Sequence, residues 1–354
     1  MGENLVLGLF FCVPVIAAGS LALLARRKGG IARLPRWPGL LLINSLVFLF
    51  FLGLLCFSAE TYYRFFSDTT DSLLYTKTSQ RWMQRHWHNN HNGVRDNVDY
   101  ALTRDSGRRR VSFVGDSFSA AEGVADVEDR FVNRIRKLHP EWEVHLLAEP
   151  GFDTGDELFY LQAATRKGYE LDQVVLVYCL NDVSDMLPEH TESVQRIKRY
   201  IANSGWLERN SYFVNTLAHR LKARRDPFMK EYFGFVRDAY RGPAWDQQKQ
   251  RLQAMRDLVE ARGGRLAVVT FPFLNALGPK YEYAFVHEQL AGFWRDLKVP
   301  YLDLRPIFQS YAPSQVTVNA HDAHPNVFAN ELATRAIDDF LRQQDALKSP
   351  TLSR

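Results

Sequence analysis

The chain has 354 residues, a formal net charge of +4 and only 3 cysteines. That length can bury a full core and still carry insertions. Cys12 and Cys56 fall inside apolar runs, leaving Cys179 alone in the remainder, which excludes an intradomain disulfide framework and a cysteine-based zinc site. The slight positive excess is partly due to one short loop, so it points to no nucleic-acid partner, and none is expected.

Residues 5–24 and 38–59 carry no charge, and each is close to the roughly 20 residues a helix needs to cross hydrocarbon. They predict two transmembrane helices, with Pro14 inside the first, where a membrane helix tolerates it. Between them, residues 25–37 carry Arg26, Arg27, Lys28, Arg33 and Arg36 without an acid. The positive-inside rule makes this loop cytoplasmic, so the N-terminus and everything after the second helix face outward. A cleaved signal peptide competes for the first run, because Ala17-Ala18-Gly19-Ser20 are small; the bases follow that run rather than precede it, which argues against cleavage. The expectation is a two-pass protein of the cytoplasmic (inner) membrane with an extracytoplasmic, periplasmic domain, and bilayer lipid as a partner. Residues 1–59 form the anchor.

Residues 60–110 read as a membrane-proximal segment. They include His86, His88 and His91, spaced closely enough to share a metal, but no acid lies within the cluster and a wetted interfacial surface accounts for it. Arg108-Arg109-Arg110 reads as a solvated lead-in to a strand rather than a contact for anionic headgroups.

From residue 111 apolar runs alternate with amphipathic ones. Strands are expected at 111–114, 144–148, 173–179, 265–271 and 301–304, and helices at 129–138, 154–167, 244–261, 283–297 and 327–343. Strict alternation predicts a three-layer α/β/α domain over 111–345, with a flavodoxin-like parallel sheet covered on both faces. Residues 184–242 interrupt the rhythm as a basic, aromatic, helical insertion suited to a lid or a membrane surface. Residues 346–354 are a tail.

Four stretches reach the same edge of this sheet. Gly115-Asp116-Ser117 closes the first strand, leaving the Ser117 hydroxyl where open α/β sheets place chemistry, with Asp116 capping or orienting the turn. Gly151 follows the second strand, Asn181 the third, and His321-Asp322-Ala323-His324-Pro325-Asn326 precedes the last helix. Cys179 lies within an apolar strand and reads as buried filling.

This pattern resembles the SGNH/GDSL hydrolase superfamily, whose four sequence blocks occur here in order across residues 111–341. The resemblance implies Ser117 as nucleophile, His324 as general base, and Ser117, Gly151 and Asn181 as the oxyanion hole. Residues 90–96, Asn-His-Asn-Gly-Val-Arg-Asp, are similar to a segment that precedes the serine block in membrane-anchored bacterial members. Two departures stand out. Phe118 replaces the usual Leu, and the acid position three residues before the histidine is His321, while Asp322 lies two before it. Asp322 is the expected triad acid, and Asp303 is the substitute should Asp322 not reach.

The chemistry is coherent without the family. A serine hydroxyl is a weak nucleophile at neutral pH unless a neutral imidazole takes its proton, and the developing oxyanion needs fixed donors. The expected activity is serine-dependent acyl-ester hydrolysis of an acylated glycan or lipid, with no metal or organic cofactor. An O-acyltransferase using the same acyl-enzyme, with a membrane acyl-transfer partner, is the alternative, and a non-enzymatic envelope scaffold the second.

Overall fold

The computed structural model describes residues 2–26, 35–72 and 75–346. Most of the basic loop expected at 25–37 and all but the first residue of the tail at 346–354 lie outside them. The described chain divides into two compact units: one of residues 1–69, 73–81 and 196–226, the other of 70–72, 82–195 and 227–354.

Two helices, Gly2–Arg26 and Arg36–Thr61, dominate the first unit, both long and apolar enough to cross a membrane. They pack as a hairpin, with Phe11 and Phe57 rings 5.4 Å apart. Their remaining surface stays apolar and exposed, as at Leu23, Leu41 and Phe48. An exposed apolar surface of this kind is compatible with a membrane anchor. At the end of the second helix the buried Glu60 accepts hydrogen bonds from Ser211 Oγ (2.6 Å), Tyr212 N (3.1 Å) and Phe213 N (3.0 Å). This carboxylate satisfies orphan amides of helix Tyr212–Arg225, whose N-terminal dipole favours a negative charge.

In the second unit the five apolar runs form β1 (Arg109–Gly115), β2 (Trp142–Ala148), β3 (Gln173–Cys179), β4 (Arg265–Phe271) and β5 (Tyr301–Asp303). All pair in parallel, in the order β2-β1-β3-β4-β5. β1 and β3 are buried almost throughout; β3 is accordingly a near-continuous apolar run, whereas β1 carries Arg110 and Ser112 among its apolar residues.

The chain steps from β1 to β2, then crosses back over β1 to reach β3. Right-handed crossovers put helices of opposite steps on opposite faces. Accordingly Phe131–Leu138 packs with Val327–Ala346, and Thr154–Arg166 packs with Pro243–Ala261. The reversal leaves the carboxyl end of β1 at the switch point of the sheet, where the crevice between diverging loops opens. A two-stranded antiparallel ribbon, β6 (Thr317–Asn319) and β7 (Asp322–Pro325), then leads into the last helix.

The expected insertion at 184–242 is helical, as Pro188–Ala202, Trp206–Asn210, Tyr212–Arg225 and Pro227–Ala239. One expectation fails at the foot of β1. Arg110 is fully buried, paired with Glu143 (2.7 Å) and donating to the carbonyls of Leu102 (2.8 Å), Thr103 (2.7 Å) and Glu170 (3.1 Å), so it is no solvated lead-in. A guanidinium can be buried when a carboxylate and carbonyls satisfy its donors together.

Candidate active site

The last residue of β1 has to be glycine: a Cβ at Gly115 would meet Ser119 Oγ at 2.3 Å and the Val177 carbonyl oxygen at 3.0 Å. The next residue, Asp116, caps the short helix Ser117–Ala120 by accepting from Phe118 N at 2.9 Å. This turn sets Ser117 at the switch point, nearly buried at 8% exposure. Phe118 packs its ring 5.4 Å from that of His324 and 5.7 Å from that of Phe271, filling the position where a leucine was expected.

His324 comes from β7. Its Nε2 lies 2.7 Å from Ser117 Oγ, and its Nδ1 lies 2.6 Å from Asp322 Oδ1. Asp322 reaches back over two residues because the ribbon folds the carboxylate onto its own strand, where Oδ1 also accepts from His324 N at 3.0 Å. An ionised carboxylate only accepts, so Nδ1 carries the hydrogen and Nε2 presents its lone pair to the serine. Asp303 is engaged elsewhere, with His287 Nδ1 (2.8 Å) and Arg305 N (2.8 Å).

The Asp322 carboxylate is itself held by a segment that the sequence did not single out. Thr70 donates its hydroxyl to Oδ2, and Ser72 Oγ lies 3.5 Å from Oδ1 while accepting from Ala323 N at 3.0 Å. Ser72 N donates to the His321 carbonyl (3.1 Å), and Asn319 Nδ2 to the Thr70 carbonyl (2.9 Å). Some 250 residues separate Thr70 and Ser72 from Asp322, and no local pattern marks them.

Gly151 and Asn181 flank the serine from the neighbouring strands. Gly115 pairs with Ala148 of β2 and Val177 of β3, so the loops that follow both strands open beside the Ser117 turn. Gly151 adopts φ +83°, a backbone that exposes its N–H at little cost only without a Cβ. Asn181 follows the last residue of β3 by two, so its amide belongs to the loop that opens beside the turn.

Burial and charge work against each other here. Burial pushes the Asp116 carboxyl up, and the bond it accepts from Phe118 N and the nearby imidazole only partly offset this, leaving it at about 6. Burial likewise pushes Asp322 up, but His324 and the Thr70 hydroxyl outweigh it and hold the carboxyl below its ordinary value. For His324, burial lowers the imidazole, yet Glu122, Asp322 and Asp116 together raise it above its ordinary range. Glu122, which was not among the expected residues, is buried with its Oε1 3.8 Å from His324 Nδ1. Glu122, Asp322 and His324 converge within 4.8 Å, the spacing of a metal site. However, Asp322 Oδ1 and both imidazole nitrogens are already committed to one another and to Ser117, so the donor set is that of a proton relay.

The histidines at 86, 88 and 91 do not converge. His86 packs on Trp82, His88 Nε2 meets the Arg85 carbonyl (3.1 Å), and His91 pairs with Asp99 (2.6 Å) on the surface. The neighbouring Arg95 is buried between Trp82 and Trp87 and donates to the carbonyls of Ala120, Ala121, Val124 and Ala125, the loop that follows the serine helix. Cys179 is buried, and burial pushes its thiol well above the ordinary value, so it is not a competing nucleophile.

The fold is similar to that of solved esterases and lipases. TesA matches with 16% identity and a TM-score of 0.42, over 66% of this chain and 99% of that one. A psychrotrophic esterase, EstA, from Pseudoalteromonas sp. matches with 16% identity and a TM-score of 0.41, over 67% and 98%. An extracellular lipase from Streptomyces rimosus matches with 15% identity and a TM-score of 0.42, over 67% and 99%. No family model and no curated protein matches the sequence. At this level of likeness the chemistry has to come from the geometry of Ser117, His324 and Asp322 itself.

Proposed function

We propose that the chain is a serine-dependent acyl-ester hydrolase of the SGNH/GDSL type, anchored by its two apolar helices in the cytoplasmic membrane with the active site on the outer side. The observation that carries this reading is the unbroken relay Ser117 Oγ to His324 Nε2 (2.7 Å) and His324 Nδ1 to Asp322 Oδ1 (2.6 Å). His324 takes the Ser117 proton as Oγ attacks the ester carbonyl, and Asp322 stabilises the imidazolium that results. The oxyanion is met by the N–H groups of Ser117 and Gly151 and by the Asn181 amide. The imidazolium then protonates the departing alcohol, leaving an acyl group on Ser117. Water, activated by the same imidazole, releases the acid.

The same acyl-enzyme serves transfer to a sugar or lipid hydroxyl, and a membrane-spanning hairpin on the same chain favours an acylated glycan or lipid held at the bilayer. Acyl release into water at full rate supports the hydrolase; turnover only with a sugar acceptor supports the O-acyltransferase.

The test is labelling of the detergent-solubilised protein by a fluorophosphonate, followed by short-chain p-nitrophenyl ester turnover. Labelling is expected in the wild type, to vanish in Ser117→Ala and to fall at least about 1000-fold in His324→Ala. A folded wild type that remains unlabelled overturns the enzymatic reading in favour of an envelope scaffold. Because only neutral imidazole accepts the proton and His324 is raised, kcat/KM is expected to climb with pH through a midpoint above the ordinary histidine value of 6.5.

A further inference from the structure

His324 faces two buried carboxylates. Asp322 takes the Nδ1 hydrogen at 2.6 Å, and Glu122 stands behind it with Oε1 3.8 Å from the same nitrogen. The Glu122 side chain is 3% exposed, and Oε1 has no hydrogen-bond partner among the described residues. At that separation, with the hydrogen already given to Asp322, Glu122 acts on the ring through its field.

The surroundings leave it little else to do. Arg95 is the cation that faces it, but its guanidinium is tied to the carbonyls of Ala120, Ala121 and Val124, which bracket Glu122 in the chain. Among the described residues, the other charged groups with the largest effect on Glu122 and His324 are Asp322 and Asp116, both acids. Burial raises the Glu122 carboxyl to about 8, so its charge responds to the imidazole within the working pH range.

We propose that Glu122 is a positioning residue that sets the proton affinity of His324, its carboxylate stabilising the imidazolium and thereby fixing the pH at which Ser117 becomes a nucleophile. This rests on the hydrolase reading of the same site. With one proton shared between them, the pair is either imidazolium and carboxylate or imidazole and carboxylic acid. Only the second arrangement can accept the serine proton, and an ionised Glu122 favours the first.

The test uses the full-length protein in detergent, comparing wild type with Glu122→Gln and Glu122→Asp. Two readouts are followed from about pH 5 to about pH 10: the rate of fluorophosphonate labelling, and the ¹⁵N shifts of the His324 ring in a Ser117→Ala background, assigned against His324→Ala. The His324 midpoint is expected to fall by about 1 to 3 units in Glu122→Gln. Labelling below the wild-type midpoint is expected to rise at least about tenfold. In Glu122→Asp, which keeps the charge, the midpoint is expected to lie between the two. A midpoint unchanged in Glu122→Gln overturns the proposal, as does a midpoint in Glu122→Asp that matches Glu122→Gln. The ring titration needs no reactive serine. A wild type that never labels while its midpoint still falls in Glu122→Gln therefore removes the hydrolase reading and leaves the tuning standing, and labelling without a shift does the reverse.

Discussion

Two groups of buried acids in the second unit are stabilised in opposite ways. In the first, Asp96 is 4% exposed and surrounded by donors: Arg130 (3.1 Å), Arg136 (2.7 Å), Asn133 (3.2 Å) and the Tyr100 hydroxyl. Burial pushes its carboxyl up, but the arginines outweigh that and hold it far below the ordinary range. In the second group, Asp116, Glu157 and Asp182 are buried without an arginine or lysine ion pair, and both Glu157 oxygens and one oxygen each of Asp116 and Asp182 lack hydrogen-bond partners among the described residues. Burial pushes all three upward, and for Glu157 and Asp182 repulsion by the neighbouring acids adds to it. The same residue type at the same depth is therefore a fixed negative charge in one place and a proton carrier in the other. Neighbouring cations decide which.

Breaking the paired group is expected to have the largest effect. Asp96→Asn leaves Arg130 and Arg136 partly uncompensated next to the segment in which Arg95 holds the loop after Ser117. A loss of about 3–5 kcal/mol is expected, read as a drop in the thermal unfolding midpoint of the purified protein. If instead Asp96→Asn melts within a degree or two of wild type, the arginines have found other acceptors and the contrast between the two groups collapses.

How legible these features are in sequence follows from how local they are. The five strands and their flanking helices are readable because each is a run of apolar residues bounded by turn residues, and the parallel order follows from strict alternation. β3 and β4 span the residues expected of them, each one polar residue followed by its apolar run. Ser117, Gly151 and Asn181 can be placed along one edge because each follows a strand directly. The support of Asp322 is not readable. Thr70 and Ser72 sit in a stretch with no periodicity and meet their partner only after the ribbon β6–β7 folds back. Glu122 lies in a short loop of small residues, and nothing in that pattern says that its side chain turns inward to the imidazole. Arg110 misleads for the converse reason: three adjacent arginines read as a solvated run, yet one is buried by partners distant in the chain.

The unpaired group makes the subtler predictions. A carboxyl whose folded value is raised favours the fold below its unfolded value and loses that contribution as pH rises through the folded one. For Asp116 that window runs from the ordinary 3.8 to about 6, and for Glu122 from 4.5 to about 8. Asp96 runs the other way, contributing above its ordinary value of 3.8 and losing that only in strong acid. Between about pH 4 and about pH 8 the thermal midpoint of the wild type is therefore expected to fall as pH rises, the reverse of a protein held by its paired carboxylates. The smallest effect belongs to Glu157→Gln. An amide imitates the neutral acid, so near pH 5 the variant is expected to differ by less than about 1 kcal/mol. At alkaline pH it should be the more stable of the two, because the wild type must ionise an unpartnered group there while the amide does not. A Glu157→Gln variant whose midpoint tracks wild type at every pH would mean that Glu157 stays protonated throughout, and would shift the alkaline loss onto Asp116, Asp182 and Glu122.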